Sequence, residues 1–304
     1  MQKHELLVLG AGPAGISAAL YAKSRGIDVA IIEKNKIGGL IATASKVSHY
    51  TGLIENESGD SFSQRLANQL KEAEIKVIKA EISAVDLTAS PKTITLKDNA
   101  NILAADAVII ALGSTPKQPN YDVIEDVYHI PNEVDINSVQ NKTVIVLGGS
   151  DAAAKEAIAL AKTAKQVVMV QDQSELQMIA EFKNKLDDLA NFTAITTATL
   201  KSIHYQRATN KIKEITIKTD TGEKHFTGDL AIFAFIGQTP NSELLRSQIT
   251  LANGFVQSED TQTGIAGVFV AGDLRTKQVR QVATAVADGA IAAISCAKYL
   301  ANLK

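Results

Sequence analysis

Three features of the 304-residue sequence predict an α/β protein with two nucleotide-binding domains, the second inserted in the first. A strand, a glycine turn, a helix and a second strand fill the first forty residues. The same pattern restarts at Thr143, and an apolar strand followed by a long helix closes the chain. Together they predict two Rossmann-like, three-layer ββα domains, one formed by residues 1–113 and 245–304 and the other by residues 114–244.

The elements follow in order. Leu6–Leu9 is a short apolar run ending in glycines, as a buried parallel strand does. Ile16–Ser24 fits a helix stopped by Gly26, and Val29–Ile32 is a second apolar strand ending at Glu33. Ser61 has the place of an N-cap before Phe62, Leu66 and Leu70, which share one helical face. Ile82–Leu87 and Thr93–Leu96 read as strands, and Ala107–Leu112 as an apolar strand ending in Gly113. Two prolines mark Ser114–Asn120 as a linker, and Pro131–Asn141 is polar and turn-like. Thr143–Leu147 (strand), Gly148-Gly149 (turn), Ala152–Ala164 (helix) and Val167–Val170 (strand) then repeat the opening unit. Ile212–Thr219 and Leu230–Ile236 are further strands. After Pro240 come the strand Val268–Ala271 and a helix from Gln281 to Leu300, expected to return to the first domain.

Composition removes whole classes of function. Charge is nearly balanced, 31 Lys and Arg against 33 Asp and Glu, which leaves no basic footprint for nucleic acid. Cys296, the one cysteine, excludes an intrachain disulfide, a CxxC redox pair and a multi-cysteine metal site. His4, His49, His129, His204 and His225 are scattered and form no metal constellation. Residues 6–22 carry no charge, yet Glu5 precedes them and Gly10, Gly12, Pro13 and Gly15 interrupt them, unlike a signal peptide. No other stretch reaches the ~18 consecutive apolar residues of a membrane span. A cytoplasmic protein with no membrane partner is expected.

Gly10-Ala11-Gly12-Pro13-Ala14-Gly15 matches GxGxxG between a strand and a helix. Gly10 permits a tight turn, Gly12 lets backbone approach a pyrophosphate, and Gly15 lets the helix pack closely on the strand. The phosphates then meet the free N–H groups and dipole of the helix N-terminus. Glu33, at the end of the next strand, has the place of the acid that accepts from ribose hydroxyls. This constellation points to dinucleotide binding.

Three more stretches carry a resemblance. Gly38-Gly39-Leu40-Ile41-Ala42-Thr43, running on to His49-Tyr50-Thr51-Gly52, resembles the flavin-contacting loop of low-molecular-weight thioredoxin reductases. Ala271-Gly272-Asp273 resembles their second FAD motif, and Arg280-Gln281-Val282-Ala283-Thr284-Ala285 the segment that points the last helix at the flavin ring. Ile236-Gly237-Gln238-Thr239-Pro240-Asn241 is similar to the end of their nicotinamide domain. The resemblance covers nearly the whole chain. It implies FAD as cofactor, NADH or NADPH as electron source and a homodimer built through the FAD domain. It also implies FAD contacts at Gly10, Gly12, Pro13, Ala14, Gly15, Glu33, Gly38, Gly39, Leu40, Thr43, His49, Gly113, Gly272, Asp273, Arg280, Gln281, Val282 and Ala285. A reduced flavin carries negative charge at its N1–O2 edge, which a helix N-terminus stabilises, and Arg280 and Gln281 are candidate donors there.

The departures from that family decide more than the likeness. Its CxxC precedes the nicotinamide-domain strand; here the stretch is Pro131–Asn141, without cysteine, and Cys296 reads as a packed core residue. Dithiol transfer within this chain is therefore excluded. The second glycine motif is Gly148-Gly149-Ser150-Asp151-Ala152-Ala153, with serine where glycine normally admits the phosphates. Where the family holds the 2′-phosphate of NADPH with arginines, this chain has Gln171-Asp172-Gln173 and Gln177. Asp172 suits a free 2′-hydroxyl instead. Two readings stay open: NADH is the donor, through Gly148, Gly149, Ser150, Asp151, Ala152, Asp172 and Gly237, or the domain no longer binds nicotinamide well. Leu40 stands where the family usually has Gln and His49 where it has Asn. His49 either tunes the flavin and moves a proton or makes a passive hydrogen bond to the ring edge.

The expected function is an FAD-dependent oxidoreductase that passes electrons without a protein dithiol. Thioredoxin reductase-like ferredoxin and flavodoxin reductases share this lack of CxxC, so the implied partner is ferredoxin or flavodoxin. The alternatives are an FAD enzyme reduced by a non-nicotinamide donor such as ferredoxin, and a flavin-binding regulatory or structural protein.

Overall fold

The computed structural model describes residues 2–97, 101–117, 127–128, 136–206 and 211–304. Two compact units emerge, one from residues 1–115 and 239–304 and one from residues 116–238. The inserted unit is thus shorter than the expected 114–244. Asn241 accounts for the later boundary: its amide donates to the Leu112 carbonyl at 2.8 Å and its backbone N–H to the Gly113 carbonyl at 3.1 Å, which ties residues 239–244 to the first unit.

The first unit is built on one sheet. Its strands run side by side as Lys76–Lys79, Val29–Glu33, Gln2–Leu9, Ile102–Ile110, Lys92–Leu96 and Ile82–Asp86, with Val268–Val270 also pairing Ile102–Ile110. The pairings along Lys76–Lys79, Val29–Glu33, Gln2–Leu9 and Ile102–Ile110 are parallel, as is that of Val268–Val270 with Ile102–Ile110; the other two are antiparallel. Side chains alternate between the two faces, as period-two backbone requires. Leu6, Val8, Ile31 and Ile109 bury one face under the helices, while Leu7, Leu9, Ile32 and Ile110 bury the other with Leu245, Val256 and Leu274.

Helix α1 (Pro13–Lys23) and the last helix, α5 (Val282–Ala301), cover the first face. They approach so closely that a Cβ on Gly289 would lie 2.1 Å from the Ala14 carbonyl oxygen, and Ser17 Oγ donates to the Val286 carbonyl at 2.7 Å. Helix α5 is long and apolar enough to cross a membrane by length and composition, but Ala285, Asp288, Gly289, Ala292, Ala293, Cys296 and Leu300 are buried against this unit. It is a core helix. Burial pushes the Cys296 thiol up to about 12, so it stays protonated and packs as a small apolar group. Helix α2 (Gly59–Glu72) starts earlier than expected: Ser58, not Ser61, is its N-cap, its Oγ accepting from the Ser61 N–H at 3.2 Å.

The second unit has a parallel sheet ordered Phe192–Ile195, Gln166–Val170, Thr143–Leu147, Leu230–Ala234 and Val127–Tyr128. Helices α3 (Asp151–Leu160) and α4 (Ala180–Asp187) cover one face through Val144, Val146, Met169 and Phe233. An antiparallel sheet of Thr199–Gln206, Lys211–Thr219 and Gly222–Thr227 covers the other through Ile212, Ile215 and Ile217. This is the three-layer ββα order expected from the sequence. Of the linker expected at Ser114–Asn120, residues 118–120 lie outside the described residues, as do residues 131–135 of the stretch Pro131–Asn141; Ile136–Val139 forms a 3-10 turn.

The Gly289 contact generates the first prediction. Gly289→Ala forces a methyl group onto α1 backbone and costs about 1–3 kcal/mol, whereas Ala287→Ser on the exposed side of α5 costs only about 0.5 kcal/mol of helix propensity. Urea unfolding checks both; equal midpoints for the two variants would contradict the packing described.

Candidate functional site

In the first unit the carboxyl ends of the parallel strands Val29–Glu33, Gln2–Leu9 and Ile102–Ile110 carry the loops that form the site, at the switch point where such sheets take their ligands. The three glycines of the first motif differ in surroundings. Gly10 has φ +104°, and a Cβ there would lie 2.5 Å from the Ala111 carbonyl oxygen. At Gly15 it would lie 1.9 Å from the Gly10 carbonyl oxygen, whereas at Gly12, the N-cap of α1, it would meet nothing within 4 Å. Two glycines pack and one faces open space. The first turn of α1 carries Pro13 and Ala14, no acidic residue, and Gly12 has no capping side chain, so its N–H groups are not screened by a carboxylate.

Glu33 fixes this turn from the neighbouring strand. Oε2 accepts from the Ala11 N–H at 2.7 Å and Oε1 from the Asn35 N–H at 2.6 Å, leaving each oxygen a second lone-pair direction. The Gly38 N–H returns to the Ala11 carbonyl at 2.8 Å, and Gly39 passes over Gly12, its Cβ position 3.2 Å from Gly12 Cα. Leu40 is exposed, and Thr43 Oγ1 donates to its carbonyl. Gly113 follows Ile102–Ile110 with φ +62°.

His49 is exposed on the loop from Val47 to Glu57, with φ +58°. Two residues absent from the sequence reading close this loop. The Glu57 side chain is fully buried, accepts from the Ile54 N–H at 3.2 Å and stands 3.0 Å from Arg65 Nε. Arg65 in turn donates to the Gly52 carbonyl, and Tyr50 meets the Phe62 ring edge-on at 5.6 Å.

The third part of the site joins the loop after Val268–Val270 to the start of α5. Gly272 sits where a Cβ would lie 2.9 Å from the Ala14 side chain, with buried Ala285 4.0 Å away. Asp273 Oδ1 is buried and accepts no hydrogen bond in the protein. Burial pushes this carboxyl up, and Lys277, at 3.6 Å, opposes the shift. Arg280 is not a solvated surface group: its Nε donates to the Asp273 carbonyl at 3.3 Å and its guanidinium stacks on Phe255 at 4.0 Å. Gln281 is the N-cap of α5, its backbone N–H held by Thr284 Oγ1, and Val282 is the first helical residue. Arg275, Lys277 and Asp288 form a buried charge cluster beside them. The sequence held a signal for it, since Asp288 is the one acid in a helix that, Lys298 and Tyr299 apart, consists of small and apolar residues.

The residues predicted in the first unit therefore lie on four loops, those that follow Gln2–Leu9, Val29–Glu33, Ile102–Ile110 and Val268–Val270. They fit FAD: an open cradle at Gly12, two helix N-termini without first-turn acids, an acid beside the glycine turn, and a buried carboxylate oxygen without a partner.

The second unit repeats the glycine turn. Gly148 has φ +109°, its Cβ position is 2.4 Å from the Phe235 carbonyl oxygen, and its N–H donates to Val170 as that of Gly10 donates to Ile32. Ser150 takes the place of Gly12 as N-cap of α3 with extended backbone, so its side chain adds bulk without strain. A Cβ at Gly149 would press on Leu176 and Gln171. Asp151 accepts from the Ile179 N–H at 2.8 Å, and Ala152 is exposed beside it. A crevice of about 960 Å³ opens here, lined by Gly148, Gly149, Ser150, Asp172, Gln173 and Gln177 among others. Asp172 is exposed, and the lining holds no arginine among the described residues; its one cation, Lys201, pairs with Glu223. Gly237, φ +100°, accepts from the Lys117 N–H through its carbonyl. The crevice lies at the N-terminus of α3, the place where the first unit has its own glycine cradle.

Comparison with known proteins identifies the family. Residues 4–289 match the family model described as pyridine nucleotide-disulphide oxidoreductase. A thioredoxin reductase from Peptoclostridium litorale is 31% identical over 310 residues, covering 99% of this chain and 98% of its own. A 34.2 kDa protein in the rubredoxin operon of Clostridium pasteurianum is 29% identical, with 97% of each chain covered. The crystal structure of T. acidophilum thioredoxin reductase matches with a TM-score of 0.90 and 25% identity over 100% of both chains. The chain belongs to the pyridine nucleotide-disulphide oxidoreductase family, which uses FAD and a nicotinamide nucleotide, and it is a thioredoxin reductase-like, FAD-dependent oxidoreductase.

Proposed function

We propose that this enzyme passes electrons between a nicotinamide nucleotide, NADH in preference to NADPH, and a protein carrier such as ferredoxin or flavodoxin, without a protein dithiol. The nucleotide preference rests on Asp172, exposed in a crevice without arginine. A carboxylate there accepts from a ribose 2′-hydroxyl and repels a 2′-phosphate. The absence of a dithiol rests on the sequence, whose one cysteine is the buried, protonated Cys296. The carrier is supported by the lack of CxxC and by the Clostridium relative, named for its place in a rubredoxin operon.

FAD, when bound, accepts a hydride and hands electrons on. The chain's own work is placement. Gly10, Gly12, Pro13, Ala14 and Gly15 offer the pyrophosphate the α1 N-terminus, and Glu33 accepts from the ribose. Gly38, Gly39, Leu40, Thr43 and Gly113 line the ring side, where His49 supplies a hydrogen bond. Gly272 and Asp273 hold the polyol chain, and Arg280, Gln281, Val282 and Ala285 present the α5 N-terminus. Gly148, Gly149, Ser150, Asp151, Ala152, Asp172 and Gly237 hold the nicotinamide nucleotide. The active form is a cytoplasmic homodimer built through the FAD unit, a reading supported by the family resemblance and by exposed Tyr21 and Ile291 on that unit.

A second reading takes its support from Ser150, which carries a side chain at the N-cap of α3 where the N-cap of α1, Gly12, carries none. There the second unit is a scaffold, and reduced ferredoxin supplies the electrons to FAD.

Anaerobic mixing of the FAD-loaded protein with NADH, NADPH and reduced ferredoxin separates the two. Rapid bleaching by NADH, slower bleaching by NADPH and a roughly tenfold gain for NADPH in Asp172→Arg, about 1.4 kcal/mol, are expected. Bleaching by ferredoxin alone selects the second reading, and bleaching by none of the three refutes both.

A further inference from the structure

Asp273 lies beside a cluster of charges largely shielded from water. Asp288, its side chain 7% exposed, receives the Gly272 N–H at 3.1 Å, Arg275 at 2.7 Å and Lys277 at 2.9 Å. Arg275 is committed to this carboxylate and to Ser258 Oγ at 3.4 Å. Lys277, 10% exposed, is shared: its ammonium also donates to Thr284 Oγ1 at 3.3 Å, in the first turn of α5, and stands 3.6 Å from the unbonded Asp273 Oδ1. Arg280 adds a third cation on the Asp273 carbonyl. Three cations thus face two carboxylates, and the group leaves a net positive charge at the N-terminal end of α5.

A buried ammonium is costly unless it is paired and hydrogen-bonded. Removing only one partner of such a set is worse than never having built it. Lys277 is fully engaged, yet its position joins two things that the packing of α5 on α1 does not need joined: the carboxylate of Asp273 and the helix turn. Positive charge in a place shielded from water acts over several ångströms with little screening.

We propose that Lys277 is a positioning residue of the FAD site, holding Asp273 toward the cofactor and placing its positive charge where reduction of the flavin puts negative charge. This rests on the FAD reading above. Asp288 is then the anchor that keeps the ammonium in place, with Arg275 balancing the anchor's own charge. Lys277 thereby raises the flavin's reduction potential and adds to the dipole of α5.

The test compares wild type with Lys277→Gln, which keeps hydrogen-bonding capacity without charge, and Lys277→Arg, which keeps the charge. Each is loaded with FAD, and the equilibrium with a reference dye of known potential is read by absorbance. Lys277→Gln is expected to shift the oxidised-to-reduced ratio about tenfold toward oxidised flavin, about 30 mV for two electrons, and Lys277→Arg to restore most of it. An unchanged ratio in Lys277→Gln overturns the proposal. So does equal loss of FAD from both variants, which marks a cross-link of the fold alone. Wild-type protein that takes up no FAD refutes the underlying cofactor reading instead.

Discussion

The backbone of α5 at Gly289 lies so near α1 that one methyl group would overlap the Ala14 carbonyl, and this contact sets both helix N-termini of the FAD unit. Gly15 brings α1 equally close to the turn at Gly10, and Gly272 wedges the Asp273 loop against Ala14. Absent side chains at Gly15, Gly272 and Gly289 therefore place the open cradle at Gly12, the carboxylate of Asp273 and the first turn of α5 around one space. Close packing of backbone leaves little room for adjustment. The site's geometry is a consequence of helix packing.

Much of this was legible in the sequence because it is local. The first glycine turn, its flanking strands and Glu33 lie within one βαβ unit, where spacing and apolar runs determine the outcome. Boundaries set by single hydrogen bonds were harder. Ser58 and Ser61 are equally good caps by type, and only the Ser58 Oγ to Ser61 N–H bond chooses between them. Asn241 moved the domain boundary through contacts with Leu112 and Gly113, far away in sequence. The buried Glu57 and Asp288 were missed because a charged residue reads as surface until the loop or helix that carries its partners, Arg65, Arg275 and Lys277, is folded back against it.

The two units show how one turn geometry serves two specificities. Gly10 and Gly148 share the same left-handed backbone and the same clash with the neighbouring strand. The difference lies beyond the turn, where Gly12 is bare and Ser150 is not, and where the second unit follows the strand Gln166–Val170 with Gln171-Asp172-Gln173. The scaffold is repeated while the recognising side chains diverge, which is why fold likeness speaks to the cofactors and side chains must decide donor and acceptor.

The proposed FAD site centres on the open space over Gly12. The most direct measurement is the flavin content of the purified, FAD-incubated protein against a Gly12→Val variant whose far-UV circular dichroism is unchanged. Stoichiometric flavin in the wild type and its loss in the variant are the predicted result, since a Cβ added at Gly12 meets no protein atom within 4 Å and points into the open space. A Gly12→Val protein that retains full flavin would contradict it.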